Sequence, residues 1–210
     1  MSGERFIFAS FSILTLVKSF SSLLLASVLL ISCQDMYVVK GMTDVTYFKG
    51  RQVTLKVPTA DGSWMTVDSC QVTHGEFTMK GHLDSVALAT LFVDETPLIP
   101  IVLEAGMLNV RLSNMTGRVT GTRLNEALYA FFDEKNRLDV QVNELGHTES
   151  QMIMNGERLE DVHHYVDSVY TSITDAMHEL VTGLNPLIRR YVIAANNEMS
   201  QQNLAAGNYP

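Results

Sequence analysis

Residues 64–81 read Trp64-Met65-Thr66-Val67-Asp68-Ser69-Cys70-Gln71-Val72-Thr73-His74-Gly75-Glu76-Phe77-Thr78-Met79-Lys80-Gly81. Two β-like runs, Trp64–Val72 and Glu76–Lys80, flank His74-Gly75, and a glycine free to take positive φ closes a tight hairpin there. Working outward, further short runs appear at Tyr37–Lys40, Gln52–Val57, Ser85–Phe92, Ile99–Leu103, Leu108–Leu112 and Arg118–Thr120. Val53, Leu55 and Val57 alternate with Thr54 and Lys56, the period-2 pattern of a strand with one buried face. Asp61-Gly62 signals a second turn. Short strands at even spacing predict an antiparallel β-sandwich or partly open barrel over residues 33–122.

Beyond Gly121 the period changes to that of a helix. Leu124, Leu128 and Phe131, then Leu138, Val142 and Leu145, recur on one face, and Gly146 is the expected stop. A second helix is expected from Glu157 to Val181, closed by Gly183. Asn185-Pro186 then matches an N-cap followed by proline at the first helical position of a third. The fold class is therefore α+β: a sandwich followed by a helical hairpin or three-helix segment at 123–200, with a frayed polar tail at 201–210.

Composition narrows the function. The 210 residues are 46% hydrophobic and 18% charged, which excludes disorder over most of the length, and the net charge is −8. Phosphate backbones need clustered Lys and Arg, so no nucleic-acid partner is expected. With only two cysteines, Cys33 and Cys70, there is no CxxC and no disulfide framework. Cys70 reads as a small buried apolar residue of a strand.

Residues 1–32 read as a signal peptide, with Arg5 and Lys18 as positive flank and an apolar or small run from Ser19 to Ser32. That run is shorter than the ~20 apolar residues a spanning helix needs. Joining it to Phe6–Val17 would leave Lys18 near mid-membrane, at a cost of about 2.5–3.5 kcal/mol. Leu30-Ile31-Ser32-Cys33 resembles the bacterial lipobox. The resemblance implies cleavage before Cys33, diacylglycerol and palmitate-type acylation at that residue, and stable anchoring by several chains. Gln34, in place of an aspartate, favours the outer membrane, facing the periplasm or the outside.

A second likeness lies in the mature chain. Asp68-Ser69, Val72, Gly75, Phe77 and Gly81 in the quoted stretch, Leu103-Glu104-Ala105-Gly106 with Leu108-Asn109-Val110, and Val119-Thr120-Gly121-Thr122 with Asn125 follow one another in a set order. They resemble the domain of unknown function that precedes thioredoxin-like modules in Bacteroidetes lipoproteins. In such relatives the helices lead into a CxxC domain for thiol-disulfide chemistry. This sequence has no CxxC, so the likeness implies architecture and location and transfers no catalytic residue.

Other chemistry is thinly supplied. Glu160, His164 and Asp167 fall at i, i+4 and i+7 on the second helix and are the best candidate metal ligands. A polar stripe opposite Val162, Val166 and Val169 is equally what a solvated helix face looks like, and no HExxH accompanies it. No nucleophile elbow or phosphate cradle is present. Trp64, Tyr47, Phe48 and Phe92 are candidates for a sugar- or peptide-binding face, although strand aromatics more often pack across the sheet. Asp84-Ser85-Val86 and Asp167-Ser168-Val169 resemble the O-glycosylation triplet of Bacteroidetes exported proteins, which implies glycan on Ser85 or Ser168. The expectation is a non-catalytic envelope lipoprotein, without cofactor, that binds or scaffolds an envelope protein partner. The alternatives are a truncated or remnant thiol-disulfide oxidoreductase and a metal-dependent hydrolase built on the second helix.

Overall fold

The computed structural model describes residues 36–114 and 116–205. The leader and Cys33 lie outside them. Eight strands come first: β1 Met36–Thr43, β2 Gln52–Pro58, β3 Trp64–Gln71, β4 Glu76–His82, β5 Ala87–Val93, β6 Thr96–Leu103, β7 Gly106–Ser113 and β8 Thr116–Thr120. Three helices follow, α1 Arg123–Met154, α2 Leu159–Thr182 and α3 Pro186–Ala205. The class is α+β, with a β-rich N-terminal part and C-terminal helices.

The strands form two four-stranded sheets, sheet A in the order β4-β1-β7-β8 and sheet B in the order β3-β2-β5-β6. Their inward faces make one core, with Tyr37, Val39, Phe77, Leu108 and Val110 from sheet A against Val53, Leu55, Leu91, Ile101 and Leu103 from sheet B. Alternation is what allows this: β7 buries Leu108, Val110 and Leu112 and exposes Asn109, Arg111 and Ser113. Both expected turns form. His74 and Gly75 have φ of 53° and 82°, Gly62 has φ of 81°, and Thr73 and Glu76 exchange backbone bonds across the first turn.

Three expectations need correction. The sandwich is not wholly antiparallel, because β1 lies between β4 and β7 and pairs with β7 in parallel register. The first helix runs through Gly146 to Met154: that glycine is exposed and meets nothing within 4 Å, so it costs only the ~1 kcal/mol of helical glycine, and the stop comes at Gly156, with φ of 80°. The third helix opens where expected, with Leu187 N–H donating to Asn185 Oδ1 at 2.9 Å, but continues to Ala205, into the stretch expected to fray.

Helix α1 closes one side of the sandwich. Leu124, Leu128 and Tyr129 join the core, and Asn125 and Tyr129 bond to the outer edge of β6. Further along, Leu138 and Leu145 of α1 are buried, as are Val162 and Ile173 of α2, in a pair of helices that extends from the sheets. Helix α3 returns to β5, burying Ile188 completely.

Candidate functional site

The outer face of sheet A is open. Register places Thr78, Lys40, Asn109 and Thr120 in one row across the four strands and Glu76, Met42, Arg111 and Arg118 in the next. Together they line a groove of about 750 Å³. The side chains point outward because the residues between them, Phe77, Val110 and Val119, are committed to the core. Toward the start of β1 the same face continues through Val38, Lys80 and Met107.

Charge distinguishes this face. Among the described residues, Arg51, Lys56, Lys135, Arg137 and Arg158 form ion pairs away from it. On it, Arg118 makes a bidentate pair with Asp133 of α1 (3.0 and 2.8 Å), which holds the Asp133 carboxyl below its usual range. Lys40, Lys80 and Arg111 have no carboxylate within ion-pairing distance among the described residues; Arg111 instead reaches the Met42 sulfur at 3.7 Å.

A second open surface belongs to the helices. Phe131 and Phe132 of α1, Met177 and Val181 of α2, and Tyr191 and Val192 of α3 line an apolar groove of about 480 Å³. Along the extended helical pair, Val140, Val142, Tyr165 and Tyr170 are also exposed.

The residues singled out from sequence are dispersed. Glu160, His164 and Asp167 are all exposed on α2, and among the described residues no group of three or more His, Cys, Asp or Glu side chains is gathered to hold a metal. Ser85 is exposed just before β5, and Ser168 is exposed on α2 beside a groove shared with α1. The four aromatics make no common face. Phe48 is fully buried, Phe92 is nearly so beneath an edge-on Trp64 at 5.2 Å, and Tyr47 lies under the Arg51 guanidinium at 4.0 Å. Cys70 is half-buried and free, with its thiol pushed up by burial and by Asp68, which leaves little thiolate to act as a nucleophile.

The motif residues have structural work. Glu104 Oε1 accepts the N–H groups of Leu124 (2.6 Å) and Asn125 (3.2 Å), capping α1 from the β6–β7 turn. Glu126 Oε1 accepts Gly121 N–H at 2.9 Å, and the Asn125 amide donates to Thr122 Oγ1 and the Val102 carbonyl while accepting Val102 N–H. Leu103-Glu104 and Gly121-Thr122 with Asn125 are thus a joint between sheet and helix. Residues 37–128 match the family model for a domain of unknown function (DUF4369). The matched stretch begins at the second residue of β1, takes in the rest of the eight strands and the first turns of α1, and ends at Leu128, a core residue of that joint. The rest of α1 with α2 and α3 lies beyond the DUF4369 match. No curated protein matches the chain.

Sequence reading did not pick out the cationic face of the domain. Lys40, Asn109 and Arg111 were visible as outward positions of their strands, but they become neighbours only through the parallel β1–β7 pairing.

Proposed function

We propose that this chain is a non-catalytic lipoprotein of the bacterial outer membrane, anchored by acylated Cys33, that binds or scaffolds a protein partner. The observation that carries the reading is the extended helical pair. α1 has 32 residues, about 48 Å of helix, of which the initial turns bind the sheets and the remainder with α2 presents Val142, Tyr165 and Tyr170 to solvent. Val142 and Tyr170 line one groove along the pair with Ile173, Met177 and Val181, and apolar side chains gathered in this way suit a partner helix. At a membrane, tethering raises effective concentration, so weak contacts there suffice.

The lipobox-like Leu30–Cys33 supports the anchor, as does the spacing: Met36 of β1 lies at most about 11 Å of extended chain from Cys33. No helix among the described residues is long and apolar enough to cross a membrane.

Two measurements test the proposal. Metabolic labelling with a palmitate analogue should mark the native protein and vanish in Cys33→Ser, with the mature chain starting at residue 33. A photo-crosslinking residue at Val142 or Tyr170 should give a discrete adduct in envelope preparations, and one at Glu160 should not. An intact Met1 removes the anchor, and equal adducts from all three positions remove the docking surface.

A further inference from the structure

We propose that the outer face of sheet A is a docking surface for anionic phospholipid headgroups, by which the β-domain lies on the membrane to which it is tethered. The inference rests on the anchored reading above and adds a face and a ligand to it. Lys40, Lys80 and Arg111 are cations without carboxylate partners among the described residues, and all three project from this face. Headgroup phosphates supply the missing countercharge. Interleaved with them are Met42 and Met107, 48% and 46% exposed, whose thioethers suit the boundary between headgroup and acyl chain. A free acidic solute would leave those methionines in water. Among the described residues, the outward positions of sheet A include no Phe, Tyr or Trp on which a sugar could stack.

Position and overall charge agree. β1 runs through the middle of this face and begins three residues after Cys33, so the anchor brings the face itself to the surface. With a net charge of −8, an anionic membrane repels the molecule as a whole. The basic face is then the side that turns toward it.

The test uses the full chain on phosphatidylcholine bilayers, with or without phosphatidylglycerol. A fluorophore is placed at Thr78→Cys in a Cys70→Ala background and read by lipid-borne quenchers. Quenching should require phosphatidylglycerol. Lys40→Gln and Arg111→Gln should each weaken its lipid dependence about fivefold, about 25-fold together, from the contribution of one basic residue near an anionic surface. Arg158→Gln with Arg190→Gln, the same charge change on the helices, should leave it alone. Equal quenching on both bilayers, or equal loss from the two variant pairs, overturns the proposal. So does polyglutamate binding that needs Lys40 and Arg111 while bilayers give no quenching, which assigns the face to an acidic protein instead. Mass spectrometry of the same preparation reads Cys33 separately: an unacylated chain that keeps its phosphatidylglycerol dependence sinks the tether and leaves the face.

Discussion

Asn125 completes the free edge of β6 by bonding both backbone groups of Val102, accepting its N–H at 2.9 Å and donating to its carbonyl at 2.7 Å. β6 is the last strand of sheet B, and a bare edge is a template for unwanted pairing. Pro100 in the same strand lacks an N–H, as edge positions tolerate, and its carbonyl takes the Tyr129 hydroxyl at 3.0 Å. Three consecutive outward groups of the edge are therefore finished by two side chains of one helix.

Asn125→Ala should strand two buried polar groups of Val102. The expected loss is about 2–5 kcal/mol, read from urea unfolding as a lower midpoint at unchanged slope. Asn125→Asp keeps an acceptor for Val102 N–H but sets a buried carboxylate oxygen against the Val102 carbonyl, so it should lose at least as much as Asn125→Ala. A loss below 1 kcal/mol for Asn125→Ala would show that water replaces the amide and that the joint is not sealed.

Gly41→Ala should be costly for a different reason. Gly41 and Phe77 are cross-strand partners, and a Cβ at Gly41 would sit 1.9 Å from the Phe77 ring. Tyr37 covers Gly81 four pairs along the ladder in the same fashion. Phe77 is buried and cannot swing out, so overpacking of about 2–3 kcal/mol or more is expected in thermal unfolding, and Phe77→Leu in the same chain should recover part of it.

Stability should decline in acid through identifiable carboxylates. Asp94 is held below its usual range by Arg51 and the Gln52 N–H, Asp133 by Arg118, Glu134 by Arg137, and Asp61 falls to about 2 through the Thr59 and Ser63 hydroxyls and the Ser63 N–H. A group depressed on folding stabilises above its unfolded pKa, near 4, and that contribution is lost as pH falls through the folded value. The melting temperature should drop between about pH 4 and about pH 2, and Asp61→Asn should shrink the drop at its low end. Added salt should weaken the three arginine-paired contributions and spare that of Asp61, whose donors are neutral.

Cys70 should alkylate slowly in the folded protein at mildly alkaline pH, because burial and Asp68 both disfavour its thiolate. Unfolding in urea should restore the rate of a free thiol. In the acylated protein Cys70 is the single reactive site, and Asp68→Asn should speed labelling. A native rate equal to the unfolded one would contradict the burial.

Much of the sandwich was readable because strands such as β7 carry their own alternation and others, such as β5 and β6, are short apolar runs between turn residues: all eight expected runs overlap observed strands. The pairing of β1 with β7 was not, since alternation fixes which face is buried and says nothing about neighbours 70 residues away. The β5–β6 turn also lacks its usual signal, for Asp94 and Glu95 take positive φ without glycine, and Arg51 and Gln52 hold the Asp94 carboxylate there. At Gly146, local punctuation was overruled by the buried face that Leu138 and Leu145 share with α2. The joint was readable only as a pattern. That Glu104 and Asn125 meet across it depends on the fold bringing the β6–β7 turn to the start of α1.

A central first strand has a mechanical meaning. Tension applied at residue 36 runs lengthwise along β1, while its hydrogen bonds to β4 and β7 lie across that direction. Such a load shears two ladders at once instead of peeling an edge open one bond at a time. The end of the domain nearest Cys33 is thus its strongest handle, and clipping the chain inside β1 removes a keystone where most proteins would lose only a fringe.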